Sequence, residues 1–355
     1  MMELMFDWQG ILSRGKGLTF DDVLLVPRHS AVTSRRDPVL NSKVTKNYTL
    51  TTPVISANMD TITEATMAIA MADLGGMGII HRFLSPEDQV LHVKQVRAHI
   101  DAKGLNLPVA ASVGVKEEGM RRADLLADSG VNILTVDIAH GDSVMMLDTL
   151  EYIKNKYPHI DVIAGNVATP DGVRRMIDRG ADAVKVGIGP GSMCTTRIIT
   201  GHGVPQLTAI ALCAREATAH GVPVIADGGL KTSGDIVKAL CAGGDTVMAG
   251  SLLSGTLETP GELKGGTKAY RGMASKAAQV SWRGELPQGM AAEGVDTRIA
   301  CKGPVAEVIS ELTGGLRSGM TYLGVDSILA MRENALFMEM NTSGMLESRP
   351  HGLKQ

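Results

Sequence analysis

Eight short runs of β-branched and small apolar residues recur along this 355-residue chain, at 53–58, 76–81, 108–114, 133–140, 161–166, 181–189, 222–229 and 245–251. Between them, segments 63–74, 86–102, 116–128, 143–157, 170–179, 206–220 and 233–242 carry apolar residues every three or four positions, the period of a helix with one buried face. Strands that alternate with helical crossovers run parallel. Eight such units predict an α/β fold, a closed (β/α)8 TIM barrel that forms one domain over residues 1–355. An open doubly wound sheet is the alternative, since a count of strands does not prove closure. Aromatics are only 3%, against 41 Gly and 20 Met, so Ala, Val, Ile, Leu and Met must fill the core. That suits helices layered on a sheet better than a β-sandwich.

Charge and apolar patterning exclude several functions. The balance of 35 Lys and Arg against 38 Asp and Glu, a net −3, predicts no nucleic-acid partner. The most apolar window, 66–80, is broken by Asp73 and glycines, and the N-terminus lacks a basic stretch followed by an apolar one. No membrane association is expected, and the cytoplasm is the predicted location. The four cysteines, Cys194, Cys213, Cys241 and Cys301, have no metal-ligand spacing, and a reducing compartment disfavours disulfides.

One long interruption, 256–303, is rich in Gly and polar residues and separates the eighth run from a helix near 305–312. In a barrel this predicts a flap over the site after strand 8. The active site of such a barrel is built at the strand C-terminal ends. Here those ends read Asn58-Met59-Asp60, His81-Arg82, Asp137 with His140, Asn166, Gly187 to Arg197, Asp227-Gly228-Gly229 and Gly250-Ser251. The glycines after the seventh and eighth runs are either tight turns or a phosphate cradle of backbone N–H groups, and their adjacent placement favours the phosphate. Ser192 can add a hydroxyl donor, and Asp227 can accept from a ribose diol. GIGPGS is not a dinucleotide fingerprint, because Ser192 stands where the third glycine belongs.

Cys194 lies in that glycine-rich loop beside Thr195, Thr196 and Arg197. Backbone N–H groups and a nearby cation favour a thiolate there, so it is read as a nucleophile. Cys213 and Cys241, on apolar helical faces, are read as small buried hydrophobes.

GIGPGSMCTTR, together with LTFDDVLLVP, ANMDT at 57–61, AGNVAT at 164–169, ADGG at 226–229, YRGMAS at 270–275 and GGLRSGM at 314–320, resembles the IMP dehydrogenase and GMP reductase family over almost the whole chain. The resemblance implies a barrel, a homotetramer, a purine nucleoside monophosphate as substrate, and a nicotinamide cofactor that exchanges hydride at C2 of the purine. Carried residue by residue, it implies Cys194 as the nucleophile that forms a thioimidate and Thr196 with Glu293 as the proton-transfer pair. Ser192, Asp227, Gly228, Gly229, Gly250, Ser251, Tyr270, Gly272, Met273 and Gly294 are implied to hold the nucleotide. The carbonyls of Gly189, Gly191 and Cys194 are implied to hold potassium. Asp137, Ile138, Ala139 and Arg82, with Ser34 and Arg35 of a neighbouring subunit, are implied to contact the cofactor.

The two branches of that family leave different marks. Dehydrogenases usually insert a pair of CBS modules after the second strand and helix, where this chain runs directly from 102 to 108. They also carry an Arg-Tyr pair in the flap, whose arginine activates the hydrolytic water. Between Ser275 and Glu293 there is no Arg-Tyr; Arg283, between Trp282 and Gly284, is the one candidate substitute. Gly250-Ser251, LKTSGD and the tail 346–351 resemble the dehydrogenases instead, and Met290 and Ala292 before Glu293 depart from animal-type reductases. The missing base is weighed more heavily. The expectation is a GMP reductase using NADPH, with an IMP dehydrogenase using NAD as the alternative and a non-catalytic nucleotide-binding barrel as a second one. A guanidinium such as Arg82 also suits a 2′-phosphate.

Overall fold

The computed structural model describes residues 4–285, 288–289 and 291–350. Eight parallel strands close into a barrel. They are β1 (Val54–Ser56), β2 (Met77–Ile80), β3 (Ala110–Val113), β4 (Ile133–Asp137), β5 (Asp161–Val167), β6 (Ala183–Val186), β7 (Val224–Asp227) and β8 (Thr246–Ala249). Seven fall inside the runs read from the sequence, and β5 runs one residue past its own, to Val167. Strand β8 pairs with β1 through Val247 and Val54, which completes the circle.

Alternation along each strand sorts its residues between two cores. Ile55, Met77, Ile79, Ala110, Ile133, Ile163, Ala183, Ile225 and Met248 point inward and fill the barrel. Their neighbours Val54, Ile80, Ala111, Leu134, Val162, Val184, Val224 and Val247 point outward and pack under the helices. Those helices are α1 (Ala65–Asp73), α2 (Pro86–Lys103), α3 (Lys116–Ala127), α4 (Val144–Lys156) and α5 (Pro170–Asp178), followed by the short α6 (Thr196–Thr200), then α7 (Gln206–Ala219) and α8 (Ser233–Cys241). Ser85, Ser143, Thr169 and Thr232 cap α2, α4, α5 and α8 by accepting from the third backbone N–H of the helix.

The segment after β8 is more structured than a loop. It holds β9 (Thr267–Arg271), α9 (Lys276–Arg283) and β10 (Asp296–Ala300), with β9 and β10 paired antiparallel. The last barrel helix, α10 (Val305–Leu323), runs far past the segment expected near 305–312. Outside the barrel, Met5–Phe6, Phe337–Glu339 and Val23–Leu25 form a small antiparallel sheet. Among the described residues no helix is long and apolar enough to cross a membrane.

Candidate active site

Strand parity sets the floor of the site. On β4, Ile133 faces the barrel interior, so Thr135 and Asp137 do too; on β6 Ala183 carries Lys185 with it, and on β7 Ile225 carries Asp227. Three charged groups therefore converge at the C-terminal rim. Lys185 Nζ lies 2.8 Å from Asp137 Oδ1 and 2.8 Å from Asp227 Oδ2, and also donates to Asn166. Asn166 Nδ2 reaches Asp227 at 2.9 Å, and Asn58 Nδ2 reaches Asp137 at 3.0 Å. Gly165 makes room for this ammonium stem, since a Cβ there would stand 2.7 Å from the Lys185 Cβ. Burial opposes charge at both Asp137 and Lys185. The attraction is stronger: Asp137 is held below the usual carboxylate range by Lys185, Arg82 and Asn58, and Lys185 is raised by the two carboxylates.

Beside this cluster the wall is backbone. Gly228 and Gly229 take φ of +92° and +79°, a conformation glycine adopts freely. Pro190 and Gly191 press against them, and a Gly228 Cβ would meet Gly191 N at 3.2 Å. Ser192 Oγ and the Tyr270 hydroxyl lie 3.1 Å apart, beside Gly250 and Ser251. Two hydroxyls and glycine amides form a donor surface suited to a phosphate.

Cys194 stands between the two ends. Its Sγ is 3.1 Å from Thr196 Oγ1, which in turn donates to Glu293 Oε2 at 2.8 Å. The line sulfur–hydroxyl–carboxylate is held by backbone pairing: Thr195 N donates to the Glu293 carbonyl and Val295 N to the Met193 carbonyl, each at 3.0 Å. Gly272 and Gly294 permit that approach, since a Cβ on either would meet the Met193 carbonyl at 2.9 or 3.1 Å. Arg197 is not the cation beside the sulfur that the sequence led us to expect. Its guanidinium donates to the Val204 carbonyl and its stem packs on Gly189 and Gly203. Cys213 and Cys241 are buried, and burial pushes their thiols up, so they behave as small hydrophobes.

These residues line one cavity of about 530 Å³. Every residue expected to hold nucleotide lines it except Gly294, which stands behind Cys194 in a backbone bridge. Asp137, Ile138, Ala139 and Arg82 line it as well. Burial lowers the Arg82 guanidinium, its Nε finds no partner among the described residues, and it stacks 4.7 Å from the Phe83 ring. Ser34 and Arg35 do not line this cavity. Arg35 borders a second one with Arg36 and Arg317. Among the contributors that went unread in the sequence are Lys185, hidden inside an apolar strand, and Gln279 and Trp282 on the flap helix. Of the residues weighed for the branch, Met290 and His351 lie outside those described.

Comparison with known proteins decides the family. The model of the IMP dehydrogenase / GMP reductase domain matches residues 17–351. The chain belongs to this family. It is 44% identical to an inosine-5′-monophosphate dehydrogenase of Cryptosporidium parvum over 97% of each chain. It is 33% identical to a GMP reductase of Leishmania donovani over 96% of this chain and 98% of that one. A Trypanosoma brucei GMP reductase crystallised with guanosine 5′-monophosphate superposes with a TM-score of 0.89 at 33% identity, covering 96% of this chain and 99% of that one. The first alignment spans 393 positions and the Leishmania alignment 484, so extra chain is found in a reductase too. Length therefore does not separate the two activities. Family members are oxidoreductases of purine nucleotides that use a nicotinamide cofactor, and this chain shares that chemistry.

Proposed function

We propose that the protein acts as a GMP reductase, converting GMP to IMP and ammonia with NADPH through a cysteine adduct at C2 of the purine. The observation that carries the direction is the flap: between Ser275 and Glu293 it has no Arg-Tyr pair to activate water. An enzyme that releases its adduct by hydride addition has no need of that base.

The residues divide the work. Cys194 attacks C2, forming the C–S bond. Glu293 passes a proton through Thr196 to the amino group, which departs as ammonia. A reduced nicotinamide, when bound, would supply the hydride for C2; Cys194 then gives up the C–S bond, leaving as thiolate and freeing IMP. Asp227 takes the ribose, Ser192, Tyr270, Gly228, Gly229, Gly250 and Ser251 the phosphate, and Gly272 and Met273 the base. For the cofactor, the Nε of Arg82, without a partner among the described residues, and the polar edge of Asp137 fit a group that brings its own acceptors and donors. Potassium fits too: the Gly189 and Cys194 carbonyls accept from no described residue, and the Gly191 carbonyl, which accepts the Cys194 N–H at 3.1 Å, keeps a second lone pair. Arg35, Arg36 and Arg317 with Ser310, Thr313 and Ser318 line a carboxylate-free groove of about 580 Å³, fit for a phosphate-rich tail. Because that groove is separate from its own chain's site, we place it opposite a neighbour's site in a homotetramer, in the cytoplasm.

A second reading, an IMP dehydrogenase using NAD, is favoured by the 44% identity to the Cryptosporidium enzyme. The test is spectrophotometric. With GMP, NADPH absorbance falls and IMP accumulates; with IMP and NAD⁺, a single burst is followed by stalling. Steady production of reduced cofactor and XMP from IMP overturns the proposal. Cys194→Ala abolishes turnover and keeps nucleotide binding; activity retained in that variant ends the covalent mechanism.

A further inference from the structure

The return strand of the flap carries a cation to the back of the phosphate end. After β10 the chain lays Lys302 and Gly303 against the segment that follows β8: Lys302 N donates to the Gly255 carbonyl at 2.9 Å, and Leu257 N to the Gly303 carbonyl at 3.0 Å. With its backbone fixed there, Lys302 Nζ donates to the Ser251 carbonyl at 2.8 Å and to the Leu252 carbonyl at 3.0 Å. No carboxylate among the described residues pairs with this ammonium, so no counter-charge cancels its pull on the two carbonyls.

Those carbonyls belong to one tight turn, 250–254, in which Leu253 N and Ser254 N both donate to the Gly250 carbonyl, at 3.1 and 2.9 Å. In a turn of this kind the carbonyls point one way and the N–H groups the other. The carbonyl side meets Lys302, which does not line the cavity; the other side carries Gly250 and Ser251, which do. The Tyr270 hydroxyl stands on that side too, 3.5 Å from where a Gly250 Cβ would be. The Ser251 and Leu252 N–H groups donate to no described residue. Each belongs to a peptide unit that Lys302 polarises. The unit joining Ser251 to Leu252 takes the ammonium directly on its oxygen. The unit joining Gly250 to Ser251 takes it in two steps, because the next unit holds the ammonium on the Leu252 oxygen and the Gly250 carbonyl on the Leu253 N–H. Hydrogen bonds in line strengthen one another.

We infer that Lys302 is a positioning residue for the phosphate monoester of the nucleotide: by holding the Ser251 and Leu252 carbonyls, it aims and polarises the two N–H groups that grip the anion. This step rests on the reading of Gly250 and Ser251 as phosphate-holding residues. Lys302 lies outside the cavity, so it bears on how tightly the nucleotide is held and leaves the proton inventory of Cys194, Thr196 and Glu293 unchanged.

The test is calorimetric titration of the full-length protein, without cofactor, with GMP and with guanosine, which lacks the phosphate. Lys302→Met, which keeps most of the stem and removes the charge, is expected to weaken GMP about fivefold and to leave guanosine within about twofold. Lys302→Arg, a cation with reach to the same carbonyls, is expected to keep GMP within about twofold of the wild type. Lys302→Gln, a neutral donor, is expected to fall between the two and serves if the Met variant folds poorly. GMP affinity unchanged in Lys302→Met overturns the inference. Equal weakening of GMP and guanosine also overturns it and makes Lys302 a brace between the flap and the barrel. The phosphate reading is judged separately, on the wild type: binding of GMP no tighter than guanosine ends that reading and the inference with it.

Discussion

Lys185 is the residue on which the site's electrostatics turn. Two carboxylates and an amide oxygen surround an ammonium whose side chain is 3% exposed. Removing the cation leaves Asp137 and Asp227 facing each other with little water, so Lys185→Met is expected to cost about 3 kcal/mol, measured as a lower urea midpoint at unchanged slope. A loss below about 0.5 kcal/mol would show that the carboxylates are solvated without it. The pH dependence follows from the shifts. Asp137, held low, contributes stability that is present above about pH 4 and is lost as acid protonates it in the fold; Lys185, held high, contributes stability that is present below about pH 10 and is lost above. The penalty of Lys185→Met is therefore flat from about pH 5 to 9 and shrinks in acid. Asp137, Asp227 and Cys194 were legible in the sequence because they stand at strand ends or in a glycine loop. Lys185 was not, because a lysine inside an apolar strand reads as an edge or surface residue. Its signal was parity: it is two residues after the inward Ala183 and opposite Gly165.

At the scale of elements, the flap is where local reading ran out. Eight strands and seven helices were legible because each announces itself by period within a dozen residues. The pairing of β9 with β10 joins segments some 25 residues apart, which no local period reveals. Helix α10 was shortened because Gly314, Gly315 and Gly319 interrupt its pattern. Those glycines bring α10 close to α8: a Cβ at 315 would collide with Ser233, and one at 319 with Val237. The flap helix is held by Arg271, which donates to the Ala277 carbonyl and pairs with Asp60, and by one ring. Trp282 sets its edge on Phe83 at 6.1 Å and covers the buried Arg122 guanidinium at 5.7 Å. Trp282→Ala is expected to raise amide hydrogen exchange across 276–283 about tenfold while protection of the barrel strands stays unchanged. Unchanged exchange in α9 would place its anchoring wholly in Arg271 and Asp60.

At the scale of the whole molecule, each proposed active centre takes pieces from two chains. The Cys194 cavity holds the proposed nucleophile and proton relay, while the three arginines lie in a groove of their own. If a neighbour's groove completes the site, a chain lacking its arginines and a chain lacking its thiol repair each other. Arg35→Ala/Arg36→Ala is expected to raise the KM for NADPH about tenfold or more, with GMP binding kept, because charge-assisted contacts to phosphate are lost. Cys194→Ala is expected to be inactive. Mixed by unfolding and refolding together, the two are expected to regain activity at low NADPH above that of either alone. In each mixed contact an intact Cys194 from the first chain meets intact arginines from the second. A mixture no more active than the arginine variant alone would mean that Arg35 and Arg36 serve their own chain, and that the groove is not part of a shared site.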